Sequence, residues 1–207
     1  MVARREVTPD AEYADVLAAP EHMVAEIIDG ALHLSPRPRR RHGKAYRRLW
    51  GALAPFDAPA GPDDPGGWVI ELEPELHLPR VRDGKREPVV PDLAGWRAER
   101  MPETDPDTWK ITITPDWVCE ILSPSTHLVD RTKKLPLYAH NGVGHLWLVD
   151  PAARTIEVYS LEAARWVVAA TVGGDERVRL PPFEAVEIDL ARLWFTEPPE
   201  PTAEPEP

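Results

Sequence analysis

The fold is decided by one stretch near the middle of the chain, Pro115-Asp116-Trp117-Val118-Cys119-Glu120-Ile121-Leu122-Ser123. Alternate residues of a strand point to opposite faces. One face would carry Trp117, Cys119 and Ile121, and the other Asp116, Val118, Glu120 and Leu122. Both faces are largely apolar, which predicts a central strand covered on both sides. Glu120 is the exception, because a buried carboxylate is costly unless it is paired, protonated or bound to a metal ion. Taken alone, it fits a structural ion pair and a functional site equally well.

Composition bounds the class of protein. The 207 residues are enough for one domain, which we place at residues 8–195, between a flexible N-terminus (1–7) and a disordered, acidic, proline-rich tail (196–207). No apolar run approaches the roughly 20 residues that span a bilayer, and the N-terminus leads into no signal-peptide core. The single cysteine, Cys119, excludes a disulfide framework and a Cys-rich zinc site. We therefore expect a cytoplasmic protein without a membrane segment.

The predicted elements are mixed in type. Strands are expected at 24–28, 31–34, 68–78, 89–96, 115–123, 145–150, 155–159 and 166–172. Asp29-Gly30 joins the first two strands and is typical of a hairpin turn. Apolar residues at helical spacing predict a helix from His42 to about Phe56. Strands and helices in this order indicate one α/β domain around a mixed sheet.

A second helix is expected after the central strand. Asp130 could cap it, and Lys134 and Tyr138 would lie one turn apart on it. Pro136 complicates the pattern, since a proline there either starts the helix or kinks it.

Two acids suggest a metal site. Asp92 lies in the predicted strand 89–96 and Glu120 in the central strand, and each of these strands carries a Pro-Asp pair. Carboxylates that converge from neighbouring strands suit a hard cation such as Mg²⁺ (or Mn²⁺). A nearby lysine could orient or deprotonate a water molecule. This set of groups is what metal-assisted phosphodiester hydrolysis requires.

Other hydrolase and nucleotide-binding classes lack their motifs. No His-Glu-x-x-His pair is present, which argues against a zinc hydrolase. Ser123 has no Gly-x-Ser-x-Gly setting, which argues against an esterase. There is no glycine-rich phosphate loop, which argues against a nucleotide-binding ATPase.

Several motifs together resemble a known family. They are Glu26-Ile27-Ile28-Asp29-Gly30, Val90-Pro91-Asp92-Leu93, Pro115 to Thr126, Asp130 with Lys134 and Tyr138, Gly142-Val143, and Leu146-Trp147-Leu148-Val149-Asp150-Pro151. Across roughly residues 8–195 the chain is similar to the Uma-type restriction endonucleases of the PD-(D/E)XK nuclease superfamily. The resemblance implies a restriction-endonuclease-like mixed β-sheet flanked by helices, with extra N-terminal and C-terminal β-hairpins. It also implies Mg²⁺-dependent cleavage of DNA.

The resemblance assigns roles to individual residues. Asp92 matches the motif aspartate and Glu120 the acid of the (D/E)XK element, so these two would hold the metal. The lysine of that element is absent, because Leu122 occupies its position. The resemblance implies a lysine that has moved to the following helix, Lys134, with Lys133 as the second choice. Glu26 and His42 match additional pocket residues.

The net charge of −11 argues against indiscriminate binding of polyanions. A basic run nevertheless surrounds His42 and contains Arg39, Arg40, Arg41 and Lys44. These residues could contact DNA phosphates, or they could form a solvated face. A nuclease-fold module that binds nucleic acid or protein without cleavage is the main alternative, and a structural protein with a fortuitous acidic pocket is a more distant one. Because nucleases that cut both strands often pair, a homodimer stays open.

Overall fold

The central stretch forms a strand, as its alternation predicts. The computed structural model describes residues 7–8, 10–36, 40–57, 61–101 and 109–195. In chain order the elements are β1 (Val7–Thr8), α1 (Tyr13–Leu17), β2 (Met23–Ile28), β3 (Ala31–Pro36), α2 (Arg40–Leu53), β4 (Trp68–Leu72), β5 (Glu75–Pro79), β6 (Arg86–Val89), β7 (Leu93–Arg97), β8 (Lys110–Ile111), β9 (Trp117–Ile121), α3 (His127–Val129), a π turn (Asp130–Lys134), α4 (Leu135–His140), β10 (His145–Asp150), β11 (Thr155–Glu162), β12 (Arg165–Gly173), β13 (Arg177–Val178) and β14 (Ile188–Asp189). Residues 1–6 and the predicted tail, 196–207, lie outside the described residues.

The main sheet has six strands in the order β12-β11-β10-β9-β7-β4. Strand β9 lies inside it, parallel to β10 and antiparallel to β7. The sheet is therefore mixed, as predicted, and the β11–β12 hairpin forms one edge. The N-terminal hairpin β2–β3 lies in a separate three-stranded sheet with β1. Both residues of its turn, Asp29 and Gly30, have positive φ, which is the backbone of a type I′ hairpin turn.

The two faces of β9 belong to different hydrophobic cores. Trp117, Cys119 and Ile121 pack in the core formed with α2 and the C-terminal segment. Val118 and Leu122 pack in the opposite core, with β5, β6 and the helical segment that follows β9. On α2 the buried residues are His42, Ala45, Leu49 and Leu53, which form one stripe along the helix. Hydrophobic burial on both sides thus fixes which face of β9 presents Glu120.

Three predicted elements differ from the structure. Residues 68–78 form two strands, β4 and β5, which lie in different sheets. Residues 89–96 do not form one strand, because the chain leaves β6 at Val89 and enters β7 only at Leu93. Pro91, which cannot donate a backbone hydrogen bond, lies at this break. Asp130 does not cap a helix either; it begins a π turn inside a helical segment that runs from His127 to His140.

Candidate active site

Glu120 is the centre of a buried polar cluster. Its side chain is 4% exposed, and it points from β9 toward the helical segment that contains the π turn. The Tyr138 hydroxyl donates a hydrogen bond of 2.6 Å to Glu120 Oε1. The Lys134 ammonium lies 3.2 Å from the same oxygen. Glu120 is therefore both paired and hydrogen-bonded, which makes its burial tolerable.

Lys134 is the cation of this cluster. Its Nζ lies 2.7 Å from Glu26 Oε1 and 3.9 Å from Asp130 Oδ1, and it donates to the Val90 carbonyl at 3.2 Å. The π turn is explained by Pro136, which has no N–H to give to a carbonyl one turn earlier, so that the helix widens before it. Within this segment Asp130, Lys134 and Tyr138 share the inward face.

Asp92 and His42 form a pair beside this cluster. Asp92 lies between β6 and β7, and its Oδ2 accepts a 2.6 Å hydrogen bond from the backbone N–H of Ile121, the residue after Glu120. Its Oδ1 lies 2.9 Å from His42 Nε2. His42 reaches it from the first turn of α2. The Asp92 side chain is 15% exposed, so this pair lies on the more open side of the site.

The charges of these groups shift one another's pKa values. Burial raises the pKa of the Glu120 carboxyl well above its usual range, although Lys134 opposes this. Burial also raises the pKa of Asp130 to about 6, again against Lys134. For Lys134 itself burial would lower the pKa, but the carboxylates of Glu120, Glu26 and Asp130 outweigh it, and the pKa is raised. The ammonium therefore stays charged at neutral pH.

His42 also has a raised pKa. Burial alone would lower it, but the hydrogen bond to Asp92 and the charges of Asp92, Glu73 and Asp130 outweigh that effect. The imidazole thus holds a proton to a higher pH than a free histidine does.

All five predicted site residues lie in this region: Glu26, His42, Asp92, Glu120 and Lys134. Lys133, the second choice, is exposed. Asp116, which shares a strand face with Glu120, lies just before β9 and instead accepts hydrogen bonds from the Arg97 backbone N–H at the end of β7 and from the Arg100 side chain.

Sequence reasoning missed the part that two residues play here. Asp130 was interpreted as a helix cap, and Tyr138 received no role. Their spacing of four from Lys134 was the available signal, because residues one helical turn apart share a face.

The described part of the basic run lies along α2. Arg40, Arg41, Arg47 and Arg48 are exposed. Two members contact the end of the described chain: Arg40 and Lys44 lie over the Phe195 ring, and the Lys44 ammonium donates to the Trp194 carbonyl. Arg39 lies outside the described residues. His42, which pairs with Asp92, lies on the buried face of the same helix.

The donor chemistry of the cluster fits a hard cation. Within the described ranges no three His, Cys, Asp or Glu side chains are arranged as a ready-made metal site. Carboxylate oxygens are nevertheless the ligands that Mg²⁺ takes, and four acids, Glu26, Asp92, Glu120 and Asp130, here surround one lysine and one histidine. In addition, His42 Nδ1 is buried without a hydrogen-bond partner. Asp92 and Glu120 are the residues that would hold such an ion.

Comparison with known proteins first defines the fold class. The structure matches, with a TM-score of 0.68 and 22% sequence identity, a crystal structure described as "a putative nuclease belonging to DUF820 from Anabaena variabilis". The match covers 89% of this chain and 97% of that chain. The mixed α/β architecture is thus shared with that protein.

The sequence then gives the family. The Uma2 family model, described as "Putative restriction endonuclease", matches residues 10–191. The chain belongs to this family, and the resemblance inferred from its motifs is confirmed. No curated protein matches the sequence. No helix in the described part of the chain has the length and apolar character needed to cross a bilayer.

Proposed function

We propose that this protein is a metal-dependent endonuclease that hydrolyses DNA phosphodiester bonds. One observation carries the proposal: Lys134 Nζ lies 3.2 Å from Glu120 Oε1, although Leu122 occupies the usual lysine position on the strand. A lysine that arrives from the π turn thus supplies the cation that the broken strand motif lacks. The family and the shared fold support the nuclease class.

Each residue has a role in the proposal. Asp92 and Glu120 would hold Mg²⁺ or Mn²⁺, which would supply positive charge to stabilise the phosphate during hydrolysis. Lys134 would position the attacking water, or activate it through the positive charge of an ammonium that Glu120, Glu26 and Asp130 keep protonated. Glu26 holds the Lys134 ammonium in place, and His42 fixes the Asp92 carboxylate through its Nε2.

DNA contact is proposed for the start of α2, where Arg40 and Arg41 are exposed and Lys44 is half-buried. Arg40, Arg41 and Lys44 would bind phosphates close to the Asp92–His42 pair, and Arg39 would extend this surface. A local cationic surface on an acidic protein would confine the polyanion to one groove.

Plasmid cleavage tests the proposal. Wild-type protein should nick or linearise supercoiled DNA only when Mg²⁺ or Mn²⁺ is present. Glu120→Ala and Lys134→Ala should each lower the rate by about 100-fold or more, as expected for loss of a metal ligand or of the ammonium that orients the attacking water. Lys133→Ala removes an adjacent exposed lysine and is the matched control, which should keep the wild-type rate. Cleavage that survives both site substitutions would remove the mechanism.

The degree of burial favours a second candidate function. Glu26, Glu120 and Lys134 are each at most 6% exposed, and their charges are largely compensated by one another. A nuclease-fold module that binds nucleic acid or protein without cleavage would have such a closed cluster. Titration with Mn²⁺ separates the two functions, since a catalytic site binds Mn²⁺ in the wild type and loses it in Asp92→Ala.

A further inference from the structure

Trp109 is exposed, although tryptophan side chains are buried on average in folded proteins. All eight tryptophans lie in the described part of the chain, and Trp109, which is 64% exposed, is the only exposed one. It directly precedes β8. A single exposed apolar side chain needs no explanation by itself. The case for a function therefore depends on how this ring is held and on what surrounds it.

The Trp109 ring is held at its polar edge by a chain of hydrogen bonds. Its indole N–H donates to the Tyr13 hydroxyl at 3.1 Å, and that hydroxyl donates to Glu75 Oε1 at 2.8 Å. His77 Nε2 lies 2.7 Å from the same carboxylate oxygen. These contacts connect the indole with α1 and β5. A ring that is oriented but exposed is preorganised for a flat ligand, because little conformational freedom is left to lose on binding.

Two exposed cations accompany the ring. The Lys110 ammonium lies 4.1 Å from the centroid of the Tyr13 ring. The Arg86 guanidinium donates to the Thr112 carbonyl at 3.1 Å, two residues further along the chain from Lys110. Proteins bind unpaired bases and their phosphates with this combination of an aromatic face and nearby cations. We call this set the Trp109 patch; its members are Tyr13, Arg86, Trp109 and Lys110.

The Trp109 patch lies near the candidate active site. Glu75 of β5 pairs with Lys110 of β8, and β6, which leads to Asp92, pairs with the other side of β5. Glu73, two residues before Glu75, donates its backbone N–H to the Asp92 carbonyl at 2.9 Å. One strand spacing and two residues along the chain place Lys110 within roughly 12 Å of this contact. A DNA strand of a few nucleotides is long enough to contact both places, since it advances roughly 3.4 Å per nucleotide.

We propose that the Trp109 patch binds an unpaired segment of DNA, with one base stacked on the Trp109 ring and with Lys110 and Arg86 against the phosphates. The two exposed cations favour a nucleic acid over an apolar protein segment as the occupant. A duplex keeps its bases inside the helix, so the patch selects single-stranded or locally melted DNA. This substrate class rests on the proposed function. Its test measures binding without metal, so that binding and cleavage can fail separately.

Binding of a fluorescent 15-nucleotide oligothymidylate in chelator tests the inference. Trp109→Ala should weaken this binding by about tenfold, as expected for the loss of a base stacked on an aromatic ring, and should leave the affinity for a duplex of the same length unchanged. Trp109→Phe keeps an aromatic face and should recover most of the affinity. Lys110→Gln should reduce the slope of log affinity against log salt by about 0.7. Val168→Ala removes a similarly exposed apolar side chain from β12 and is the matched control, which should bind like the wild type.

Tryptophan fluorescence gives a second readout. The oligothymidylate should quench the emission of the wild type and of Val168→Ala, and it should quench Trp109→Phe less. A wild type that does not bind the oligothymidylate, an unchanged affinity in Trp109→Ala, or an equal loss for the duplex would overturn the inference, even if plasmid is cleaved. The predicted binding pattern without any plasmid cleavage would remove the proposed function and leave the Trp109 patch as a site for unpaired DNA.

Discussion

At the scale of single residues, Glu120 shows how contacts with neighbouring groups stabilise a buried carboxyl group. Its burial between Val118 and Leu122 is dictated by the apolar pattern of β9, and its compensation comes from Tyr138 and Lys134 on another element. The sequence predicted that Glu120 needs a partner. It could not predict the hydrogen bond from Tyr138, because that contact depends on how the helical segment packs on the sheet.

Tyr138→Phe tests this hydrogen bond. The substitution leaves Glu120 Oε1 without its shortest donor, so we expect a loss of about 1–3 kcal/mol in the free energy of unfolding. Denaturant titration measures the change. Tyr159→Phe is the control, because the Tyr159 hydroxyl contacts the partly exposed Glu157, which keeps its ion pair with Arg131. Equal losses in the two variants would contradict the special role of Tyr138.

Asp130 predicts a pH dependence of stability. Its pKa is about 6 in the folded protein and is raised by burial, so the folded state holds the proton more tightly than the unfolded state. Its contribution to stability is therefore present below its unfolded pKa of about 4 and is lost as the pH rises to about 6.

Unfolding of the wild type and Asp130→Asn at pH 4 and pH 7 measures this effect. Relative to the variant, the wild type should lose about 1–3 kcal/mol between the two pH values. The difference between the proteins removes the contribution of acids that do not interact with Asp130. A difference that does not change with pH would show that Asp130 titrates normally.

At the scale of elements, hydrophobic periodicity correctly predicted the features that depend on local sequence. It failed where contacts between residues far apart in the chain determine the structure. The alternation of β9, the Asp29-Gly30 turn and the α2 stripe all appear in the structure. The sequence pattern does not predict the break between β6 and β7, because Val89 and Leu93 are both apolar. The break becomes visible only in the structure, where β6 and β7 belong to different sheets. The π turn was missed too, although Pro136 was recognised as a disturbance. A proline signals a defect in the helix but does not determine its form.

Two glycines test the packing of these elements. Gly51 lies within α2 with nothing within 4 Å of an added Cβ, so Gly51→Ala should stabilise the protein by about 0.5–1 kcal/mol. Gly95 lies in β7, where an added Cβ would be 3.2 Å from Trp117 and 3.3 Å from Trp68. Gly95→Ala should therefore destabilise it by about 1–3 kcal/mol through overpacking. Thermal unfolding gives both values, and the same sign for both would contradict the packing.

At the scale of the whole molecule, the start of α2 carries a local group of exposed arginines on a protein of net negative charge. The sequence identified this run but not its neighbours. The packing of Arg40 and Lys44 on Phe195 joins residues that are far apart in the chain, which no local pattern reveals. Part of this run thus anchors the end of the described chain as well as carrying charge.

The salt dependence of DNA binding tests whether the arginines at the start of α2 contact DNA phosphates. Arg40→Ala/Arg41→Ala should weaken binding of a duplex and reduce the slope of log affinity against log salt by about 2, since each phosphate that is no longer neutralised lowers it by roughly 0.9. The control, Arg165→Ala/Arg177→Ala, removes two exposed arginines from β12 and β13 and equals the first variant in net charge. Fluorescence anisotropy in chelator measures both. An equal reduction in the control would indicate that net charge alone is responsible.

The central claim is that Glu120 and Lys134 act as one catalytic unit although different elements supply them. A double-mutant cycle tests it most directly, through single-turnover cleavage rates of the wild type, Glu120→Gln, Lys134→Met and the double variant with Mg²⁺. Residues that act as a unit are strongly non-additive. We therefore predict that the double variant is about as slow as either single variant. Rate losses that simply multiply in the double variant, or a wild-type rate in Lys134→Met, would contradict the account.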